Sequence, residues 1–285
     1  MADKVARPTL FGRKAAPERE MLEAPEVLIP VEQLKEVEWL PTIGVLDQED
    51  LLAQKILTSK FIPGCTTDAD ALGSCTGNAT TAHLSERMAT AGILSAVFTD
   101  GDDYFKLSAA STPAEAEMWA IGFYNLTTTK YGGPGGNWPP NDEGSSGIYC
   151  CEELEALGLT QSHRSATSVH GLLSLLQAGS AEVGGPWYNS MMTPDSQGFI
   201  DGDGSPEAIR AVLASGVAGG HERYTGKIVQ LAIVKGAIDL RNTILMDRNS
   251  WDPNWGPIGG CYLYHASFLQ ATIDQTDWKQ VVVAA

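Results

Sequence analysis

The stretch Leu72-Gly73-Ser74-Cys75-Thr76-Gly77-Asn78-Ala79 places a cysteine between two glycines, just ahead of a run of helical composition from Ala79 to Ala91. A thiol at a helix N-terminus feels the positive end of the helix dipole and the N–H groups of the first turn, both of which favour thiolate. Thiolate is the attacking form of cysteine, so this placement suits a nucleophile. The same stretch also fits a buried structural cysteine near a helix start, and other residues must decide between the two.

Outward from Cys75, the chain up to Gln177 reads mostly as helix. Thr112-Pro113-Ala114-Glu115 combines a capping box with proline at the first helical position, opening a helix through Met118, Trp119 and Phe123. A second helix is expected from Ile148 to Leu157, stopped by Gly158. A third is expected from Ser168 to Gln177, with Leu172, Leu173, Leu175 and Leu176 on its apolar face. Beyond Gly179 the pattern changes. Segments 181–183, 227–234, 243–246, 262–264 and 281–283 read as strands between glycine-rich turns, with one short helix capped by Ser205 and opened by Pro206. Helices first and strands afterwards predict an α+β architecture of two lobes. The expected division is an arm over residues 1–59, a helical lobe over 60–178 and an antiparallel, barrel-like β lobe over 179–285.

A cysteine nucleophile needs a proton acceptor. His83, His163, His170 and His265 read as structural, whereas His221 follows Gly219-Gly220, where neighbouring backbone can approach with no side chain in the way. Downstream stand Asn249-Ser250-Trp251, Trp255-Gly256 and Gly259-Gly260. An amide beside an imidazole can accept its N–H and fix its tautomer, and an indole can shield that hydrogen bond from water.

Taken together, these residues resemble the papain family of cysteine peptidases, in particular short bacterial and bacteriophage members. Gly73-Ser74-Cys75 matches the nucleophile segment, Gly219-Gly220-His221 the histidine segment, and Asn249-Ser250-Trp251 with Trp255-Gly256 the asparagine segment. Glu143-Gly144-Ser145-Ser146 and Pro186-Trp187-Tyr188 are similar to those members as well. Cys75 and His221 stand 146 positions apart, within the roughly 130–150 of the family. The 28 positions from His221 to Asn249 imply an extended hairpin between them. The resemblance implies a papain-like two-lobed fold, with Cys75 at the start of a central helix and His221 and Asn249 on the β lobe. It also implies a cleft that binds an extended peptide. Cys75, His221 and Asn249 would form the catalytic triad, Ser74, Trp251 and the Cys75 N–H would support the oxyanion site, and Gly135, Gly136, Trp138 and Gly220 would line the cleft. One position departs from the family. Ala69 stands where a glutamine normally donates to the oxyanion, with Thr66, Thr67 or Gln54 as candidates to replace it. Loss of one such donor typically costs about 10²–10³ in rate.

Composition narrows the partners. The 285 residues carry 19 basic and 35 acidic side chains, a net charge of −16, which argues against nucleic acid or an anionic membrane surface as a partner. No apolar run approaches the roughly 18 residues of a membrane span, and no secretory signal is expected, so a cytoplasmic protein, or one carried in a phage particle, is anticipated. The five cysteines (65, 75, 150, 151 and 261) include no C-x-x-C pair, and with reduced thiols expected, neither a structural metal nor a cofactor is implied. The acidic segment Asp195–Asp203 lacks the spacing of a calcium loop and reads as a solvated turn. The expected substrate is a peptide or protein. Two alternatives stay open. One is a non-catalytic structural or binding protein, such as a virion component that docks through residues 1–59. The other is a lytic peptidase acting on cell-wall peptides.

Overall fold

The computed structural model describes residues 28–38, 72–131, 142, 144–251 and 254–283. The run with helical composition is helix α1 (Cys75–Ala91), ended by Gly92 in the left-handed conformation. A β-hairpin follows, β1 (Ser95–Asp100) and β2 (Asp103–Ser108), then α2 (Pro113–Tyr131) and α3 (Gly147–Ala156). The capping box at α2 forms as expected: Thr112 N donates to Glu115, and Glu115 N donates to Thr112 Oγ1. Next come β3 (Ser162–Ala166), α4 (Val169–Leu176), β4 (Ala181–Tyr188), α5 (Pro206–Ala214) and the long β5 (Val217–Gln230). The chain closes with β6 (Ile233–Val234), β7 (Ala237–Ile238), β8 (Ile244–Arg248), β9 (Cys261–His265), α6 (Ala266–Ala271) and β10 (Asp277–Val282). Ser168 and Ser205 cap α4 and α5 by accepting from Gly171 N and Ala208 N.

Six strands form one antiparallel sheet in the order β3-β10-β4-β5-β8-β9. The connection between His221 and Asn249 is the extended hairpin foreseen, running up β5, across the small β6–β7 tip and back along β8. No helix among the described residues is long and apolar enough to cross a membrane.

Two features differ from the expected plan. The β1–β2 hairpin interrupts the helical half. It seats Phe98 and Phe105 (ring centroids 4.6 Å apart) against Trp119 and Phe123 of α2. Its two-residue loop has Gly101 at φ +58°, a conformation that favours glycine. The division of packing also falls earlier than residue 178. β3 pairs with β10, and Val169, Leu172, Leu173 and Leu176 of α4 belong to the same apolar core as the sheet. The other core joins α1, the hairpin, α2 and α3. The apolar face of α4 was read correctly from sequence, but the surface it covers is set by the pairing of β3 with β10, a contact distant in sequence.

Most of the arm over 1–59 lies outside the described residues; the part from 28 to 38 lies along α4 and β5. Ile29 N donates to Ser174 Oγ, His170 Nε2 hydrogen-bonds Ile29 O, and Val37 exchanges two backbone hydrogen bonds with Ile228. Leu34 is buried in the sheet core.

Helix α1 is the centre of the fold. Thirteen of its residues are buried, most of them polar or small, and it packs against both α2 and β5. Such a helix needs a partner for each buried polar group. His83 Nδ1 meets Ser180 Oγ at 2.8 Å, and His83 Nε2 accepts from Val281 N at 2.9 Å. Glu86 accepts from Ser180 N and Tyr224 OH. Close approach to α2 depends on Gly77, where a Cβ would lie 2.4 Å from Ala120 O. Because the obstacle is helix backbone, Gly77→Ala is expected to lower stability by about 1–3 kcal/mol through overpacking. Thermal melts of the two proteins measure this. An unchanged midpoint would mean that α2 yields at no cost.

Candidate active site

Cys75 is the first residue of α1 and is fully buried. The other described cysteines sit elsewhere. Cys150 and Cys151 lie inside α3, where burial and then the carboxyl of Glu182 push both thiols up. Cys261 opens β9 and is also pushed up by burial. Among the described cysteines, a helix start is offered to Cys75 alone; Cys65 lies outside the described residues.

The histidines sort in the same way. His83 is a core residue of α1, His163 pairs with Glu155 at 2.6 Å, His170 binds the arm, and His265 pairs with Asp201 at 3.1 Å. His221 lies in β5 opposite Gly185 of β4, fully buried. Its Nε2 is 2.8 Å from Asn249 Oδ1, and Ser250 N donates to the same oxygen at 2.8 Å. A backbone N–H can only donate, so the atom between them is the amide oxygen and Nε2 carries the hydrogen. In the neutral ring, Nδ1 is then the basic nitrogen. Asn249 is itself fixed by its own N–H, which donates to Gly260 O at 2.9 Å.

Aromatic rings enclose this hydrogen bond. The indole of Trp251 lies 4.8 Å from the imidazole at an angle of 31°, and Trp187 meets it edge-on at 5.2 Å. Behind Trp187, the guanidinium of Arg223 sits over the ring at 5.9 Å and pairs with the buried Asp247, which accepts from Tyr262 and Tyr264. Burial, opposed by the bond to Asn249 and aided by Arg223, lowers the His221 pKa to about 3.

The nucleophile and asparagine segments border one space. A small space of about 10 Å³ between α1, β5 and β8 is lined by Asn78, Ala79, Glu222, Arg248, Asn249 and Ser250. Ser74, expected to support the oxyanion, instead donates its hydroxyl to Asn78 Oδ1 at 2.7 Å, and Asn78 Nδ2 donates to Glu117 at 2.9 Å. This chain of bonds anchors the helix start. Gly220 pairs with Pro186 in the β4–β5 ladder, and its neighbour Gly219 stands opposite Trp187. Gly135, Gly136, Trp138, Ala69, Thr66, Thr67 and Gln54 lie outside the described residues.

Sequence reasoning reached Trp251 as a shield but gave Trp187 no role at the site beyond a likeness of its segment. A tryptophan in a strand pattern reads as core, and nothing local marks that its edge meets an imidazole across the sheet. Among the described residues, no group of His, Cys, Asp and Glu is arranged to hold a metal ion. The Asp195–Asp203 carboxylates are engaged by the Gln197 and Phe199 amides, by His265 and by Arg241.

No family model matches the chain, and no curated protein matches it in sequence. Solved structures do match in shape. Xylellain, a cysteine protease from Xylella fastidiosa, superposes with a TM-score of 0.61 at 13% identity, over 100% of this chain and 100% of that one. Procathepsin B S9 from Trypanosoma congolense superposes with a TM-score of 0.50 at 14% identity, over 98% of this chain and 88% of that one.

The burial of His83 and His221 has a titration consequence. Both pKa values fall from 6.5 to about 3. Between those limits the unfolded chain binds these protons and the folded chain does not, so each ring withdraws stability as pH falls from 6.5 toward 3. In a histidine NMR titration, the C2–H signals of both rings should hold their neutral positions from pH 7 to about 4. A transition of the His221 signal near 6.5 would mean that water reaches the ring.

Proposed function

We propose that this chain, whose fold is that of the papain-like cysteine peptidases, hydrolyses peptide bonds with Cys75 as nucleophile, His221 as base and acid, and Asn249 as the orienter of His221. The observation that carries the reading is the His221–Asn249 hydrogen bond beneath Trp251, with its tautomer leaving Nδ1 as the basic nitrogen. Cys75 heads the helix that packs against the strand bearing that imidazole.

In the proposed reaction, Cys75 Sγ attacks the peptide carbonyl carbon and its proton passes to His221 Nδ1. Charge develops on the carbonyl oxygen, where the Cys75 N–H donates. That group belongs to the first helical turn, whose N–H groups have no acceptor within the helix. His221 then protonates the departing amine, the C–N bond breaks, and a thioester to Cys75 remains. Water, deprotonated by His221, attacks the thioester, and the acid leaves as the thiol is restored. Asn249 keeps the ring from turning through each proton transfer.

Both Cys75 and His221 are fully buried, so reaction with a peptide requires that the pair become exposed. Opening also removes the desolvation that holds His221 neutral. A thiolate beside the ring then favours imidazolium, and the pair ionises as substrate arrives.

Cys75→Ala should lower turnover of a generic fluorogenic peptide by at least about 10³-fold and abolish labelling by a thiol-directed epoxide. His221→Ala should match it, and Asn249→Ala should lose less. With a peptide-like alkylating agent that occupies the opened site, reaction at Cys75 should persist well below pH ~8.5, the ordinary thiol value, and His221→Ala should remove that low-pH reaction. Undiminished turnover in Cys75→Ala would overturn the reading in favour of a non-catalytic binding protein on the same fold.

A further inference from the structure

We propose that Asp142 and Tyr124 are positioning residues for the Cys75 nucleophile: together they clamp the backbone just ahead of it to helix α2. This rests on the peptidase reading above. Gly73, two residues before Cys75, has only its backbone by which to be held, and its N–H donates to Asp142 Oδ2 at 2.7 Å. The other oxygen of that carboxylate, Oδ1, accepts from the Tyr124 hydroxyl at 2.6 Å. The Tyr124 oxygen in turn accepts from Gly144 N at 3.0 Å. One carboxylate and one phenol thus join the segment entering α1 to the segment that leads into α3.

Tyr124 is fully buried on α2, one turn beyond Ala120, whose carbonyl abuts Gly77 of α1. The start of α1 is therefore held against α2 at two points, by van der Waals contact at Gly77 and by the hydrogen-bonded clamp at Gly73. The contact at Gly77 fixes the separation of the two helices. The clamp fixes where the chain enters α1, and with it the direction of the first-turn N–H of Cys75. Burial first, and then Asp142 and the nearby Cys75 thiol among its neighbours, disfavour ionisation of the Tyr124 phenol. A carboxylate in this neighbourhood would disfavour thiolate. Both oxygens of Asp142 are engaged by donors, which draws its charge toward Gly73 and Tyr124.

The test compares full-length Asp142→Ala, Asp142→Asn and Tyr124→Phe with the unmodified protein, by kcat and KM on a fluorogenic peptide and by thermal melting. Misplacement of a reacting group costs up to about 100-fold in rate, so Asp142→Ala should lower kcat by about 10- to 100-fold and leave KM within about two-fold. Asp142→Asn keeps an oxygen for Gly73 N and should recover part of the loss. Tyr124→Phe, which removes a single oxygen, should lower kcat in the same direction and decides the matter if Asp142→Ala does not fold. Unchanged kcat in these variants of an active protein overturns the clamp alone. So does a fall in kcat that merely follows the melting points, with no recovery in Asp142→Asn. Absence of Cys75-dependent turnover in the unmodified protein overturns the peptidase reading, and the clamp's catalytic role with it.

Discussion

A polar helix buried on nearly every side is the constraint from which the rest follows. Helix α1 is built from threonine, alanine, serine, histidine and glutamate rather than leucine and valine. Its burial is tolerable only where each side-chain donor and acceptor is matched. The matches come from both halves of the molecule: Glu117 of α2 through Asn78, and Ser180, Glu182, Tyr224 and Val281 from in and around the sheet. Small residues allow the neighbours close, as Gly77 does for α2. The helix that brings Cys75 to the centre therefore also joins the two cores.

On the other side of the candidate site the governing effect is desolvation. Trp187 and Trp251 protect the His221–Asn249 bond, and the same protection holds the imidazole neutral. A rigid, dry orienting bond and an easily charged ring are opposing demands, because both depend on the local dielectric. In the proposed reaction, substrate would reconcile them by admitting charge at Nδ1 while the indoles continue to cover Nε2. The two nitrogens lie on different edges of the ring, which allows one edge to open while the other stays shielded.

Much of this was legible in sequence where the signal is local. The Thr112–Glu115 box, the Ser168 and Ser205 caps, and the glycine stop at Gly158 are each decided within a few residues. The strands of β4, β8 and β9 were visible because apolar and β-branched residues fill short runs between turns. Cys75 was expected at a helix start, where α1 begins, although the sequence held no measure of its approach to His221 or Asn249. What escaped notice was non-local or ambiguous. Ala96, Phe98, Phe105 and Leu107 alternate around Gly101, but a flanking helical pattern absorbed that short hairpin. β3, reading Ser-His-Arg-Ser-Ala, has no apolar alternation and is a strand because β10 pairs with it. Nothing local in the sequence marks Asp142. Its partners at positions 73 and 124 are far away in the chain.

Buried charge behind the site follows the same logic of distant partners. Glu182, Glu222, Asp277 and Lys279 are all buried between the sheet and helices α1 and α3. Lys279 pairs with Asp277, and Thr80 donates to Glu182. Gly147 leaves room for the cluster, since a Cβ there would lie 2.5 Å from Glu222 Oε1 and 3.1 Å from Lys279 Nζ. Burial and the neighbouring Glu222 push the Glu182 carboxyl up. Burial works against the charge of Lys279, but Asp277 and Glu222 outweigh it and hold the ammonium charged. Such a cluster adds little net stability compared with apolar packing, yet it penalises any arrangement in which one member loses its partners. Glu222 directly follows His221 in β5. The strand that carries the imidazole thus also carries a member of a charged cluster that tolerates no loss of partner. The position of His221 is thereby tied to the contact between the two cores, and not only to Asn249.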